Sequence, residues 1–237
     1  MEHKQFGHLQ VQDLFQKGYY TNVYRAFDPS KDKGVLLQII TPIFSANNRY
    51  NNLLTKFTKG LKDLTNGSFL SITQHINYAD RIGLVYDLPH GSAEEWETFT
   101  YSDFTASPDL VNNSQQTLYL AFSDLLKHEI LHRAFRPDAL VFHSESNKVY
   151  FSFFGMLENL FYIETNQNPA YKGQFQAHFY TSETLNNFNH YDASDEFFSF
   201  SKSWYFLEML KNVQGSKNIA LNLKTLSIPD SIKHASC

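Results

Sequence analysis

Apolar residues in the first ninety positions fall in short runs that either alternate with polar residues or stand uninterrupted, with turn-forming residues between them. Runs of roughly four to eight such residues predict β-strands. They cover residues 9–15, 22–27, 35–40, 69–76 and 81–87. Between the third and fourth runs the apolar positions take helical spacing, at Tyr50, Leu53, Leu54, Phe57, Leu61 and Leu64. Residues 46–65 are therefore predicted to form an amphipathic helix.

Helical spacing dominates the rest of the chain. Gln115 to Ile130 form one predicted helix, and a second runs from about residue 195 to Leu210. Short apolar runs at 140–142 and 149–154 predict two more strands. Residues 92–114 are polar and include Pro108, so we expect a loop there with a short helix at 101–105.

Composition narrows the class of protein. A chain of 237 residues can form one large domain or one two-lobed domain. The net charge of −4 offers no basic surface for nucleic acid. The single cysteine, Cys237, excludes an internal disulfide and fits a reducing compartment. The first thirty residues lack an apolar signal core, and no apolar run is long enough to span a bilayer. We expect a cytoplasmic protein with neither nucleic-acid nor membrane partners.

The most informative motif is residues 132–142, His-Arg-Ala-Phe-Arg-Pro-Asp-Ala-Leu-Val-Phe. It resembles the catalytic loop of protein kinases, H-R-D-L-K/R-P-x-N followed by an apolar strand. The catalytic Asp of that pattern falls on Ala134 and the metal-binding Asn on Ala139. A methyl group can neither accept a proton from a hydroxyl group nor bind Mg²⁺.

Weaker matches precede this motif in the order that the kinase resemblance requires. Residues 16–26 resemble the glycine-rich loop, G-x-G-x-x-G-x-V, but keep only its middle glycine, Gly18, and its valine, Val23; Gln16 and Thr21 stand at the outer glycines. Gln38 stands where kinases have the phosphate-binding Lys. The helix at 46–65 places Phe57 near the position of the partner Glu, and residues 33–62 contain no acidic residue.

Further matches follow the catalytic-loop motif. Phe153, Phe154 and Gly155 resemble Asp-Phe-Gly, with Phe153 replacing the metal-binding Asp and adding apolar bulk where phosphates would lie. Residues 156–180 would be the activation segment, and Glu183 would end it. Either Asp195 or Glu196 could fill the buried acidic position at the start of the large central helix.

The resemblance implies an α+β, protein-kinase-like fold forming one domain. Its small antiparallel β N-lobe would cover residues 1–88, and its mainly helical C-lobe, residues 89–237, would be truncated after the central helix. It also implies no catalysis, no cofactor and no metal. A vestigial pocket would be lined by Gly18, Val23, Leu36, Tyr86 and Leu88. The expected function is that of a pseudokinase, a regulatory or scaffolding module that binds a protein partner or adjacent domains of a longer chain. A homo-oligomer is compatible with that role.

Two alternatives stay open. A pseudokinase could still bind nucleotide without metal, with Lys17 and Arg136 supplying positive charge. Separately, His128-Glu129-Ile130-Leu131-His132 matches the H-E-x-x-H helix of zinc peptidases, with Glu158 as a third ligand. Phe135 and Pro137 count against the zinc site, because the longer zinc motif has Gly where Phe135 stands and Pro137 ends the helix.

Overall fold

The computed structural model describes residues 4–40, 48–61, 64, 67–99, 107–167 and 175–212. None of the helices in these ranges is both long and apolar enough to cross a membrane. The predicted short helix at 101–105 and the chain after residue 212, where the predicted truncation falls, lie outside the described residues.

The N-terminal half is a six-stranded antiparallel sheet with strand order β1-β2-β3-β4-β6-β5. Its strands are β1 Lys4–Phe6, β2 Leu9–Lys17, β3 Thr21–Asp28, β4 Lys33–Ile40, β5 Ile72–Tyr78 and β6 Arg81–Asp87. Five of the six were predicted. The sixth, β1, is too short to show a periodic pattern, and it reaches β2 through Gly7 at φ 63°.

Helix α1, Asn48–Gly60, follows β4 as predicted. A second, three-stranded sheet comes after the connection between the two halves. It is built from β7 Trp96–Thr98, β8 Leu140–His143 and β9 Val149–Phe151. Strands β8 and β9 match the two short apolar runs on either side of the turn at residues 144–147.

Helix α2 spans Pro108–Lys127, so the predicted start at Gln115 is wrong. Pro108 lies in the first turn, where its missing N–H is no loss, and the Ser107 side chain accepts a hydrogen bond from the Leu110 N–H. The helix also ends before the predicted Ile130. Its last residue is Lys127, and Glu129 has the left-handed φ of 56°.

Three helices complete the described chain: α3 Phe154–Glu164, α4 Ser182–Asn186 and α5 Ala193–Asn212. Helix α5 was predicted, whereas α3 was not. It begins at Phe154, shortly after β9, and runs into residues 156–180, which the sequence predicts as an activation segment. A large hydrophobic core joins the inner face of the six-stranded sheet to α1, α2, α3, α5 and the small sheet. The outer face of the six-stranded sheet has a smaller core of its own.

Candidate functional site

The connection between β2 and β3 holds a carboxylate of the chain itself. Glu158, in the second turn of α3, accepts hydrogen bonds at Oε1 from the backbone N–H groups of Tyr19 (2.7 Å) and Tyr20 (2.9 Å). Its Oε2 accepts from the Thr21 N–H at 2.9 Å and from the Thr21 hydroxyl group at 3.0 Å. Consecutive backbone N–H groups that converge in this way form an anion-binding concavity. In kinases, by the resemblance above, this loop covers nucleotide phosphates.

The rest of α3 holds the tip of the same loop. The Tyr162 ring stacks on Tyr19 with centroids 6.1 Å apart and meets Tyr20 edge-on at 4.8 Å. The Tyr20 hydroxyl group donates to Gln167 Oε1 at 2.5 Å and lies 3.0 Å from Thr165 Oγ1. Tyr162 lies one turn after Glu158 on the same side of α3, and Thr165 and Gln167 follow the end of the helix, so α3 and the residues just after it hold the loop. We call these contacts the α3 clamp.

Gly18 allows the carboxylate to come this close. A Cβ atom at Gly18 would lie 2.4 Å from the Thr21 carbonyl oxygen and 2.8 Å from Glu158 Oε2. Both distances are far below van der Waals contact, so any other residue would push Glu158 out or reshape the loop. The one glycine that survives from the motif therefore has a packing role in this structure.

The electrostatics of Glu158 are a balance between burial and hydrogen bonding. Burial of the carboxyl group raises its pKa, and the hydrogen bonds from the loop oppose that rise without cancelling it. Among the described residues, the Glu158 carboxyl group is stabilised by the hydrogen-bond donors of the loop.

A chain of hydrogen bonds runs from the sheet to Glu158. The Tyr86 hydroxyl group donates to Gln38 Oε1 at 2.8 Å, and Gln38 Nε2 donates to Thr21 Oγ1 at 2.9 Å. Gln38 Nε2 also lies 3.2 Å from the Phe154 carbonyl oxygen. Gln38 thus serves as a neutral link between the two halves. Burial raises the pKa of Tyr86, so its hydroxyl group keeps its proton as the first donor of the chain.

The space between β2 and β6 is filled by Phe154. Its ring packs edge-on against Tyr86 at 4.7 Å and against Phe15 at 6.3 Å. Of the predicted vestigial pocket residues, Val23, Leu36, Tyr86 and Leu88 are buried in one core, and Gly18 and Val23 line a cavity below the β2–β3 loop. Phe154 of α3 belongs to the same core and packs on Tyr86.

Phe153, the residue at the position of the metal-binding Asp, packs in the core. Its ring stacks on Phe69 at 5.0 Å and contacts Phe57 and His132 at 6.2 and 5.7 Å. This aromatic column is in the core, away from the cavity under the loop. The phenylalanine that lines this cavity is Phe154. Phe57, at the position expected for the partner Glu, belongs to the same column.

The start of α3 lies against the catalytic-loop residues. A Cβ atom at Gly155 would come within 2.6 Å of Ala134 Cβ and 2.9 Å of Arg136 Nη2. Ala134 and Ala139 are both buried. A carboxylate at position 134 would therefore lie beside α3 and lose its contact with water.

A cavity of about 400 Å³ remains below the loop. Lys17 and Arg136, the two basic residues named for the nucleotide alternative, both line it, with Gln16, Gln176 and the Glu158 side chain. Arg136 is buried, and its guanidinium group pairs with Asp138 and donates to the Tyr180 hydroxyl group, each at 2.9 Å. Lys17 is exposed.

Glu196 fills the buried acidic position beneath the catalytic loop, which decides between the two candidates. It accepts hydrogen bonds from the backbone N–H groups of His132 (2.7 Å) and Arg133 (3.0 Å) and from the Tyr191 hydroxyl group. Asp195 instead accepts from the hydroxyl groups of Thr181 and Thr184 at the start of α4.

The geometry contradicts the zinc alternative. His128 caps the end of α2 and Glu129 has left-handed φ, so the H-E-x-x-H residues do not share a helical face. His132 is fully buried, with Nε2 donating to the Ser152 carbonyl oxygen at 2.9 Å, and Glu158 is held by the loop. Among the described residues no cluster of three or more His, Cys, Asp or Glu could hold a metal ion. Sequence reasoning named Glu158 for metal chemistry and missed its role at the loop.

A scan against protein-family models finds no match, and a search of curated proteins finds none either. Among solved structures, the chain is similar to crystal structures of the PknI kinase domain of Mycobacterium tuberculosis. One comparison gives a TM-score of 0.57 at 14% identity, over 93% of this chain and 83% of that one. Another gives 0.55 at 12% identity, over 87% and 74%. Similarity at such identities shows the fold alone: the predicted α+β, protein-kinase-like fold is confirmed.

Proposed function

We propose that this protein is a kinase-like domain that does not transfer phosphate and that acts as a regulatory or scaffolding module. The observation that carries the proposal is that α3 occupies the cleft, the space between the six-stranded sheet and residues 132–139. Phe154 fills the space between β2 and β6, and Glu158 takes the loop amides, one helical turn apart on the same element.

The residue types in the cleft support the same proposal. Gln38, Ala134, Ala139 and Phe153 can neither neutralise phosphate charge nor bind Mg²⁺, and phosphoryl transfer depends on those two contributions. Ala134 is also buried against Gly155 at the start of α3, so a carboxylate at position 134 would lose its contact with water. The loss of the charged and metal-binding side chains and the packing of α3 against Ala134 therefore support the same proposal.

A binding role is what remains for such a domain. Large hydrophobic side chains are exposed on the described helices α2 and α5, namely Tyr119, Leu120, Leu126, Phe197, Trp204 and Tyr205. Exposed apolar side chains mark contacts with other proteins where they form one continuous patch, and we propose that these six residues do so. We therefore propose that this module binds a protein partner or adjacent domains of a longer chain. The lone cysteine fits a reducing compartment, and we propose that the protein acts in the cytoplasm.

Phosphate transfer from γ-labelled ATP tests the proposal directly. The chain is incubated with Mg²⁺ or Mn²⁺, with and without a generic protein substrate, beside an active kinase domain as positive control. We expect no incorporation into the substrate or the chain itself. Ala134→Asp should not create activity, because Gln38, Ala139 and Phe153 still supply neither phosphate-neutralising charge nor metal ligands. Metal-dependent incorporation by the wild-type chain would refute the proposal.

A second candidate, nucleotide binding without metal, is favoured by one observation: the cavity lined by Lys17 and Arg136. Thermal unfolding at millimolar ATP, with and without Mg²⁺, distinguishes the two. Since a ligand that binds only the folded state raises the unfolding temperature, stabilisation by ATP would support this candidate. An unchanged temperature would leave the non-nucleotide module.

A further inference from the structure

Helices α2 and α5 pack side by side and run in opposite directions. Gln115 Nε2, in the first half of α2, donates a hydrogen bond to Glu208 Oε2 near the end of α5 at 2.8 Å. Further along α2, the Phe122 ring stacks on Phe200 with centroids 4.3 Å apart. Positions of increasing number on α2 therefore meet positions of decreasing number on α5, so the two helices are antiparallel.

One side of this helix pair carries a continuous run of large apolar side chains, which we call the α2–α5 stripe. On each helix its members lie three or four positions apart and so share a side of the helix. They are Tyr119, Phe122, Leu126, Phe197, Phe200 and Trp204. Four ring contacts, with centroids 4.3 to 6.3 Å apart, join its phenylalanine and tryptophan members. Along these described turns of α2 and α5 the polar positions on the same side are Ser123 and Ser201, so no charge interrupts the stripe.

Much of the α2–α5 stripe is exposed to solvent. The exposed fractions are 56% for Tyr119, 61% for Leu126, 38% for Phe197 and 37% for Trp204. Because an aromatic side chain has about 150–250 Å² of surface, the stripe presents on the order of 400 Å² of apolar surface. A stable interface buries about 800 Å² from each partner, in an apolar centre surrounded by a polar rim. The stripe therefore has the size of the centre of a stable dimer interface.

We propose that the α2–α5 stripe is the interface of a homodimer and binds the same stripe of a second copy of this chain. The inference rests on the proposed function, since it names the partner of the binding module. A two-fold axis that runs between α2 and α5, parallel to both, places α2 of each copy opposite α5 of the other. The facing helices are then antiparallel, and the four helices enclose both stripes as a bundle. Because the stripe is uncharged, the two copies meet without like-charge repulsion.

Sedimentation velocity of the full chain at different concentrations tests the dimer. From about 1 to about 100 μM the dimer fraction should rise, since association follows mass action. Leu126→Lys should weaken dimerisation at least about ten-fold, because each copy then buries an unpaired charge. The matched control is Leu14→Lys, at an exposed leucine of β2, which should dimerise as wild type does.

A mixing experiment tests the two-fold geometry. Leu126 lies one turn after Phe122 on α2. Phe197 lies one turn before Phe200 on α5, so Leu126 of one copy faces Phe197 of the other. Phe197→Glu alone should therefore also weaken dimerisation. An equimolar mixture of Leu126→Lys and Phe197→Glu should associate more tightly than either variant alone, because one of the two contacts then pairs opposite charges.

Thermal unfolding first establishes that each variant is folded. If a charged variant does not fold, Leu126→Ser, at the most exposed position of the stripe, replaces it in the concentration series. A wild-type chain that stays monomeric throughout, or a dimer that folded stripe variants leave unchanged, would overturn the proposed interface. A mixture that associates no better than its components would overturn the two-fold arrangement. None of these results bears on phosphate transfer, whereas incorporation from ATP by the wild-type chain would refute the proposed function.

Discussion

His132 and Glu196 are adjacent ionisable residues beneath the cleft, and burial shifts their pKa values in opposite directions. Burial lowers the pKa of His132 to about 3, and the nearby Arg136 and Arg133 guanidinium groups add to the effect. Burial raises the pKa of Glu196 above its usual value, against the hydrogen bonds it accepts. Both shifts disfavour charge. The His132 ring therefore acts as a neutral donor to Ser152 in an aromatic environment.

The pH dependence of the unfolding free energy should show that His132 is neutral in the folded state. Its folded-state pKa of about 3 lies below the ordinary value of 6.5, so the unfolded chain binds the extra proton. The free energy of unfolding therefore rises with pH between those values, by at most about 1.4 kcal/mol per pH unit, and the contribution is constant above the ordinary pKa.

Urea unfolding of wild type and His132→Phe across this pH range measures the effect. The difference in unfolding free energy should grow in favour of wild type up to about the ordinary histidine pKa and then stay level. Phe135→Leu, which alters the same aromatic group without a titrating residue, should give a pH-independent difference. A level difference for His132→Phe as well would contradict the pKa shift.

Helix α3 shows where the sequence stops predicting the structure. The strands β2 to β6 follow from alternation and short apolar runs, and α5 follows from helical spacing. In α3, eight residues on all sides of the helix are buried, so no amphipathic stripe marks it. Its N-cap residue, Phe153, has no side-chain acceptor.

Tertiary packing therefore determines where this helix forms, and the contacts of Glu158 with the loop could not be predicted from residue spacing. One signal was present: a lone acidic residue in an apolar run needs donors when buried.

Substitution of Gly155 tests how tightly α3 lies on the catalytic loop. Gly155→Ala adds a methyl group 2.6 Å from Ala134 Cβ, and such overpacking typically costs about 1–3 kcal/mol. Gly60→Ala, in α1, is the matched control. A Cβ atom there meets nothing within 4 Å, and the change should be neutral or stabilising by up to about 1 kcal/mol. Thermal or urea unfolding compares the two. If Gly155→Ala is as well tolerated as Gly60→Ala, α3 does not rest on Ala134.

The two halves of the molecule are joined in two ways. A shared hydrophobic core continues from the inner face of the six-stranded sheet into the helices. The α3 clamp adds a polar connection, since the loop residues Tyr19 to Thr21 bond to residues more than 130 positions away. In the described residues, the kinase-like fold thus uses the cleft between its two halves for contacts within the chain. If the clamp acts as one unit, its members should not contribute independently to stability.

A double-mutant cycle across the clamp measures that coupling. Tyr20→Phe removes the hydrogen bonds to Thr165 and Gln167 and should cost about 1 kcal/mol in the wild-type chain. In the Glu158→Ala background the loop is already released, so the same change should cost less, with a coupling energy of about 0.5 kcal/mol or more. Urea unfolding of the four proteins gives this value. The control cycle pairs Tyr20→Phe with Val35→Ala, which lies in the separate core on the outer face of the sheet and should be additive. Additivity in both cycles would mean that the shared core alone couples the two halves, and that Glu158 and Tyr20 hold the loop independently.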